Sequence, residues 1–182
     1  MLKINNLLLV GGNSRHIGKT TLLCEIISAA ASVEPVISLK VTSIYQNNEG
    51  YHGEHELLSA GYFTIDEEMG SGRPKDTLKM LEAGATRSFY IQVRDHAVEA
   101  AWNAFLKMVP ADHLIVCESR SLRRFIEPGL FIYLKSSRGQ KEKPYSLWLE
   151  KLADKVLYDP QPQDISSLVS EISLAQKQWI IS

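Results

Sequence analysis

An apolar run of strand length, Leu7-Leu8-Leu9-Val10, ends in Gly11-Gly12, crosses the polar loop Asn13-Ser14-Arg15-His16-Ile17 and re-emerges as Gly18-Lys19-Thr20-Thr21 ahead of apolar residues at helical spacing. No other stretch constrains the fold as tightly. A buried strand feeding a helix through a glycine-rich turn opens a βα unit, and βα units build parallel sheets. The same order is the context in which a phosphate-binding loop is more than a pattern match. Glycines let backbone N–H groups close around phosphate oxygens, and the helix N-terminus adds partial positive charge. On this reading Gly12, Asn13, Ser14, Arg15, His16, Ile17, Gly18, Lys19, Thr20 and Thr21 form a nucleotide-binding segment. Lys19 reaches the β- and γ-phosphates as a point charge, and the Thr20 hydroxyl is a Mg²⁺ ligand. The spacing departs from the usual pattern. Asn13 stands where the first glycine normally does, and Gly12 lies one residue further back.

The rest of the chain alternates strand and helix. Strands are expected at about Leu7–Gly11, Val36–Lys40, Phe89–Val93, His113–Glu118, Leu130–Leu134 and Lys155–Asp159, with a short edge strand at Tyr62–Ile65. Helices are expected at about Gly18–Ser32, Asp76–Ala83, Ala97–Val109 and Ile165–Ile180. The core stripe of the first is Leu22, Leu23, Ile26, Ile27 and Ala30. Asp76 or Thr77 would cap the second, and Gly84 would stop it. The third carries Ala101, Phe105 and Met108 on one face. The pattern predicts an α/β fold, a three-layer sandwich with a mostly parallel sheet of P-loop NTPase type. Its 182 residues suit one nucleotide-binding domain, 1–182, with an irregular insertion at about 41–74. The polar run Ser136–Pro144 reads as a surface loop.

Charge and composition exclude several functions. A net charge of −1 supplies no basic field for nucleic acid. No apolar run reaches membrane-spanning length, and no signal peptide is visible, so a soluble, cytoplasmic setting is expected. Cys24 and Cys117 fall in apolar runs and read as small buried hydrophobes, not as a disulfide or metal pair.

Four further groups could carry chemistry. Glu118 closes an apolar strand, the geometry of a Mg²⁺ or water ligand beside a phosphate loop. Lys40 closes another strand on the same sheet edge, where open α/β sheets bind ligands, and could neutralise phosphate charge. Lys75 and Asp76 precede a helix and could meet an anion and capping or metal duties. Lys19, Lys40 and Glu118 are thus the catalytic candidates, and Thr20 and Glu118 the metal ligands. His52 and His55, with Glu54 and Glu56, read as a solvated loop: two histidines supply too few ligands. Arg120, Arg123 and Arg124 read as a solvated face near the site edge.

Two resemblances emerge from these motifs. The longer glycine loop resembles the dethiobiotin synthetase branch of P-loop proteins. The run Lys75-Asp76-Thr77, then Ala83-Gly84-Ala85 and a strand, resembles the molybdopterin-guanine dinucleotide biosynthesis adaptor family. Gly12 to Thr20, Lys40 and Glu118 occupy the matching places, over about the first two-thirds of the chain. Val41-Thr42 after Lys40, and Ser119 after Glu118, depart from that family. The resemblance implies GTP binding with slow hydrolysis, homodimerisation, and service to a molybdenum-cofactor enzyme partner. The residues themselves do not separate GTP from ATP, since Lys135-Ser136-Ser137-Arg138 stands where a guanine-reading Asn-Lys-x-Asp segment would. An ATP-dependent ligase resembling dethiobiotin synthetase is the alternative.

Overall fold

A computed structural model describes residues 2–44, 61–70, 75–137 and 145–181. The residues His52, Glu54, His55 and Glu56, and residues 138–144 of the Ser136–Pro144 loop, lie outside them. Among the described residues the strands are β1 (Leu2–Gly12), β2 (Val36–Ile44), β3 (Phe63–Glu67), β4 (Arg87–Arg94), β5 (Leu114–Glu118), β6 (Ile126–Lys135), β7 (Lys155–Tyr158), β8 (Ile172–Ala175) and β9 (Gln178–Ile181). The helices are α1 (Lys19–Ala30), α2 (Asp76–Glu82), α3 (Val98–Leu106), α4 (Ser146–Lys151) and α5 (Pro162–Glu171).

Seven strands form one sheet in the order β3-β4-β2-β5-β1-β6-β7, parallel throughout except for the antiparallel edge strand β3. The apolar strands follow from burial on both faces, which removes the usual polar alternation. Leu7 and Leu9 of β1 join Ile37, Leu39, Ile115, Cys117 and Phe131 in one core, closed by Trp102 and Phe105 of α3 and Leu149 of α4. Leu8 and Val10 turn the other way, to a second core holding Val116, Ile132, Met80 of α2 and Ile165 and Leu168 of α5. Helices therefore cover both faces, and the architecture is α/β around a mostly parallel sheet.

The helix after the glycine loop buries the expected stripe, Leu22, Leu23, Ile26, Ile27 and Ala30. Each of its large members contributes roughly 1.5–3 kcal/mol on burial. Gly84, at φ +113°, follows the end of α2 and its Ala83 cap, a conformation that disfavours side chains.

Three expectations need correction. The C-terminal helix ends at Glu171. Ile172–Ile181 is instead the hairpin β8–β9, turned by Gln176 and Lys177 at φ 51° and 61°. Two successive left-handed residues match the twist of a hairpin. Trp179 anchors it, buried, with its indole N–H donating to the Asn6 carbonyl at 3.0 Å. Second, α3 stops at Leu106 and Met108 is 41% exposed, so the buried face carries Val98 and Trp102 with Ala101 and Phe105. Third, α4 lies in a stretch given no element from sequence. Cys24 is only half-buried, whereas Cys117 is buried; both are free thiols. No helix among the described residues is long and apolar enough to cross a membrane.

Candidate functional site

Parallel register brings three strand ends together. On β5, Glu118 lies opposite Val10 of β1 on one side and Lys40 of β2 on the other. The Ser119 N–H donates to the Val10 carbonyl at 3.1 Å and fixes the strand's exit. The β1–α1 loop rises beside this edge. A cleft of about 730 Å³ opens there, running from the loop across Lys40 to Tyr90 of β4.

Close packing dictates the loop's glycines. A Cβ on Gly12 would sit 2.8 Å from the Leu134 carbonyl oxygen and 3.2 Å from Cδ of Lys19. Gly18 caps α1 at φ +92°. His16 also has positive φ, 57°, a strained state for a residue with a side chain and one that collects at functional loops. Asn13 is latched to the loop after β6: its Nδ2 donates to the Ser136 carbonyl at 3.0 Å, and the Ser136 N–H donates to Oδ1 at 2.8 Å. The first turn of α1 carries no acidic residue and no side-chain cap. Its leading N–H groups lack intrahelical partners and face the cleft as a site for negative charge.

Around that helix start the side chains form one charged cluster. The Thr20 hydroxyl donates to Glu118 Oε2 at 2.9 Å. Lys19 Nζ donates to the Ser14 carbonyl at 2.6 Å and stands 4.0 Å from Glu118 Oε1. Lys40 Nζ lies 3.8 Å from the same oxygen and is ion-paired with Asp76. Burial holds the Lys19 ammonium below its ordinary pKa of 10.5, and Lys40 and Arg120 add to this against the pull of Glu118 and Asp76. Burial acts the same way on Lys40, but Glu118 and Asp76 outweigh it and raise its pKa. For Asp76, burial is outweighed by the hydrogen bond and charge of Lys40, and its pKa falls below 3.8.

Asp76 is thus not the N-cap of α2; Lys75 takes that place, with no side-chain cap bond, and Asp76 opens the first turn. Its contribution to stability is present above pH 3.8 and is lost as pH falls through its lower folded-state pKa. That of Lys40 is present below pH 10.5 and lost as pH rises through its higher one. Asp76→Asn is expected to cost about 1 kcal/mol at neutral pH. In urea unfolding the gap from wild type should stay flat around pH 7 and close in acid. A gap that persists there would assign the loss to packing.

Of the sequence-derived site residues, Gly12, Ser14, Arg15, His16, Gly18, Lys19, Thr20, Thr21, Lys40, Asp76 and Glu118 line the cleft. Asn13 and Ile17 do not; Ile17 packs on the α1-side core. Lys75 is exposed and outside the lining, where Lys79 appears instead, one turn further along α2. Arg120, Ser119, Ser121, Ser43 and Tyr90 line it as well. Of these only Arg120 carried a sequence signal, as a cation just past Glu118. No cluster of three or more His, Cys, Asp or Glu residues is placed to hold a metal among the described residues. No family model matches the chain, and the curated proteins and solved structures show no match either.

Proposed function

We propose that the chain is a Mg²⁺-dependent nucleoside triphosphate-binding protein of the P-loop NTPase type with weak NTPase activity, similar to the adaptors of molybdenum cofactor guanylylation. The observation that carries the reading is the Thr20–Glu118 hydrogen bond of 2.9 Å beside Lys19, at the start of a helix with no acid in its first turn. In this arrangement the β1–α1 loop amides and α1 N-terminus take the phosphates, and Lys19 neutralises their charge. Lys40 stands ready for charge that develops on the terminal phosphate, held in place by Asp76 and Glu118.

The donor set fits Mg²⁺. Hard oxygen ligands suit that ion, which usually takes one or two protein groups and completes its shell with phosphate and water. Thr20 offers an oxygen lone pair while its O–H donates to Glu118, and Glu118 offers the carboxylate. When bound, the ion would draw charge from the phosphate oxygens. The preference for GTP, the homodimer and the molybdenum-cofactor enzyme partner follow from the family resemblance and stand or fall with it.

Calorimetry with ATP, GTP and their diphosphates, with and without Mg²⁺, tests the reading; absence of triphosphate binding in every arm overturns it. Thr20→Ala is expected to weaken triphosphate binding about tenfold or more with Mg²⁺ present and hardly at all in EDTA. Equal loss in both would mean that Thr20 serves the helix start. The reach of the cleft past Lys40 to Tyr90 favours a second reading, an ATP-dependent ligase with an acid beyond the terminal phosphate. Phosphate release that depends on added diaminopelargonic acid would select it.

A further inference from the structure

The loop that follows Glu118 holds a buried donor with nothing to bind. Arg120 lines the cleft, and its Nη1 is buried without a hydrogen-bond partner. A buried unpaired N–H is costly and calls for an explanation, such as a bound ion or ligand. The neighbouring arginines are engaged elsewhere in the fold. Arg123 donates to the Ile126 carbonyl at 3.2 Å and lies over the Phe131 ring. Arg124 grips Asp95 with bonds of 2.7 and 2.9 Å and stacks on Tyr145.

A hydroxyl chain flanks Arg120. The Ser43 hydroxyl donates to Ser121 Oγ at 2.6 Å, and Ser121 and Ser119 Oγ atoms are 3.2 Å apart. Ser119 Oγ accepts the Leu122 N–H at 3.1 Å. Ser119 and Ser121 are both almost fully buried and line the cleft with Arg120, so their hydroxyls and the unpaired guanidinium N–H stand on one short segment.

This segment borders the phosphate cluster, close enough for Arg120 to act on Lys19, but leads to the other face of the sheet. Ser43 continues the alternation of Ile37, Leu39 and Val41, toward the face covered by α3. Tyr133 belongs to that face, and Arg120 lies close enough for its charge to act on the phenol. Lys40 and Glu118 alternate to the opposite face, with α1 and α2. The Lys19, Lys40, Asp76 and Glu118 charges largely compensate one another, whereas no carboxylate pairs with Arg120 among the described residues.

We propose that Ser119, Arg120 and Ser121 form an oxyanion subsite in the α3-side half of the cleft, which holds a carboxylate or phosphate group of a second small molecule. Arginine suits the role because its planar fork meets two oxygens of such a group at once. The subsite is independent of the nucleotide reading, since none of its donors belongs to the β1–α1 loop.

The test is an NMR titration of amide resonances with inorganic phosphate in one arm and malonate in the other. Saturable shifts at Ser119–Leu122 are expected with at least one of them, and the arm that responds identifies the group. Arg120→Met should weaken that response at least tenfold, and Arg120→Lys by a smaller factor, since a point charge replaces the fork. Shifts confined to residues 12–20, no saturable shift in either arm, or unchanged affinity in both variants would overturn the subsite. So would a loss of triphosphate over diphosphate affinity in Arg120→Lys, which would place Arg120 on the terminal phosphate. Anion shifts at Ser119–Leu122 in a protein that binds no nucleotide would sink the nucleotide reading and leave the subsite standing.

Discussion

Lys19→Ala is expected to abolish measurable nucleoside triphosphate binding while leaving the fold intact. The ammonium is 15% exposed, donates to the Ser14 carbonyl and stands beside Glu118. Burial, with Lys40 and Arg120, keeps its pKa below 10.5 against the pull of Glu118 and Asp76, so in the free protein the ammonium is held short of water. A bound phosphate would supply a further partner. Each charge-assisted hydrogen bond is worth about 1.5–3 kcal/mol, so losing two costs on the order of a hundredfold or more in affinity. The fold should survive because alanine is the best helix former at the opening of α1 and the core stripe starts further along, at Leu22. Affinity in the wild type should also fall as pH rises through the depressed Lys19 pKa, because only the charged form neutralises phosphate. Calorimetry with Mg·ATP and Mg·GTP, paired with a thermal melt, checks both. Unchanged affinity in a folded mutant would remove the phosphate-loop reading.

Local patterns were the legible part of this chain. Burial on both sheet faces gives β1, β2 and β5 continuous apolar runs, and the spacing of Leu22, Leu23, Ile26 and Ile27 survives into the core unchanged. Strand ends were legible too, which is why Lys40 and Glu118 could be set on one edge before their register was seen. The C-terminal segment was not. Ile172, Leu174, Trp179 and Ile180 fit a helical stripe and a strand alternation nearly as well, and short apolar runs do not separate the two. Gln176 and Lys177 decide it in the left-handed region, without the Asn-Gly signal that marks such a turn.

Long-range partnerships were the other blind spot. Asp76 looks like a helix cap from its neighbours, yet its carboxylate is taken by Lys40, 36 residues away. Asn13 looks like a substituted loop glycine, yet its amide serves Ser136, 123 residues away. That latch explains how a loop without the usual first glycine keeps its shape: Gly12 provides the close approach to β6, and Asn13 ties the next step to the same strand end. The three arginines after Glu118 differ only by what the fold brings to each, Asp95 to Arg124 and the Ile126 carbonyl to Arg123.

Glu118→Gln is the substitution expected to separate binding from turnover. Glu118 is 12% exposed and uses both oxygens, Oε2 for the Thr20 hydroxyl and Oε1 for the electrostatic pull on Lys19 and Lys40. Glutamine keeps the size and one acceptor oxygen, so Thr20 can remain in place and nucleotide should still bind within about tenfold of wild type. What is lost is the negative charge. A carboxylate acting as metal ligand or as base toward water is commonly worth about a hundredfold or more in rate. Triphosphate hydrolysis should therefore fall by at least that factor while diphosphate affinity changes least. The loss of charge also leaves Lys19 and Lys40 repelling each other across the strand end, with Asp76 the remaining counter-ion. Binding in the mutant should then become more favourable to the more highly charged ligand, raising the preference for triphosphate over diphosphate in EDTA. Single-turnover phosphate release and calorimetry on the same preparation read the two effects. Hydrolysis equal to wild type with binding retained would make Glu118 a structural partner of Thr20, and the chemistry would have to be sought at Lys40 and the loop alone.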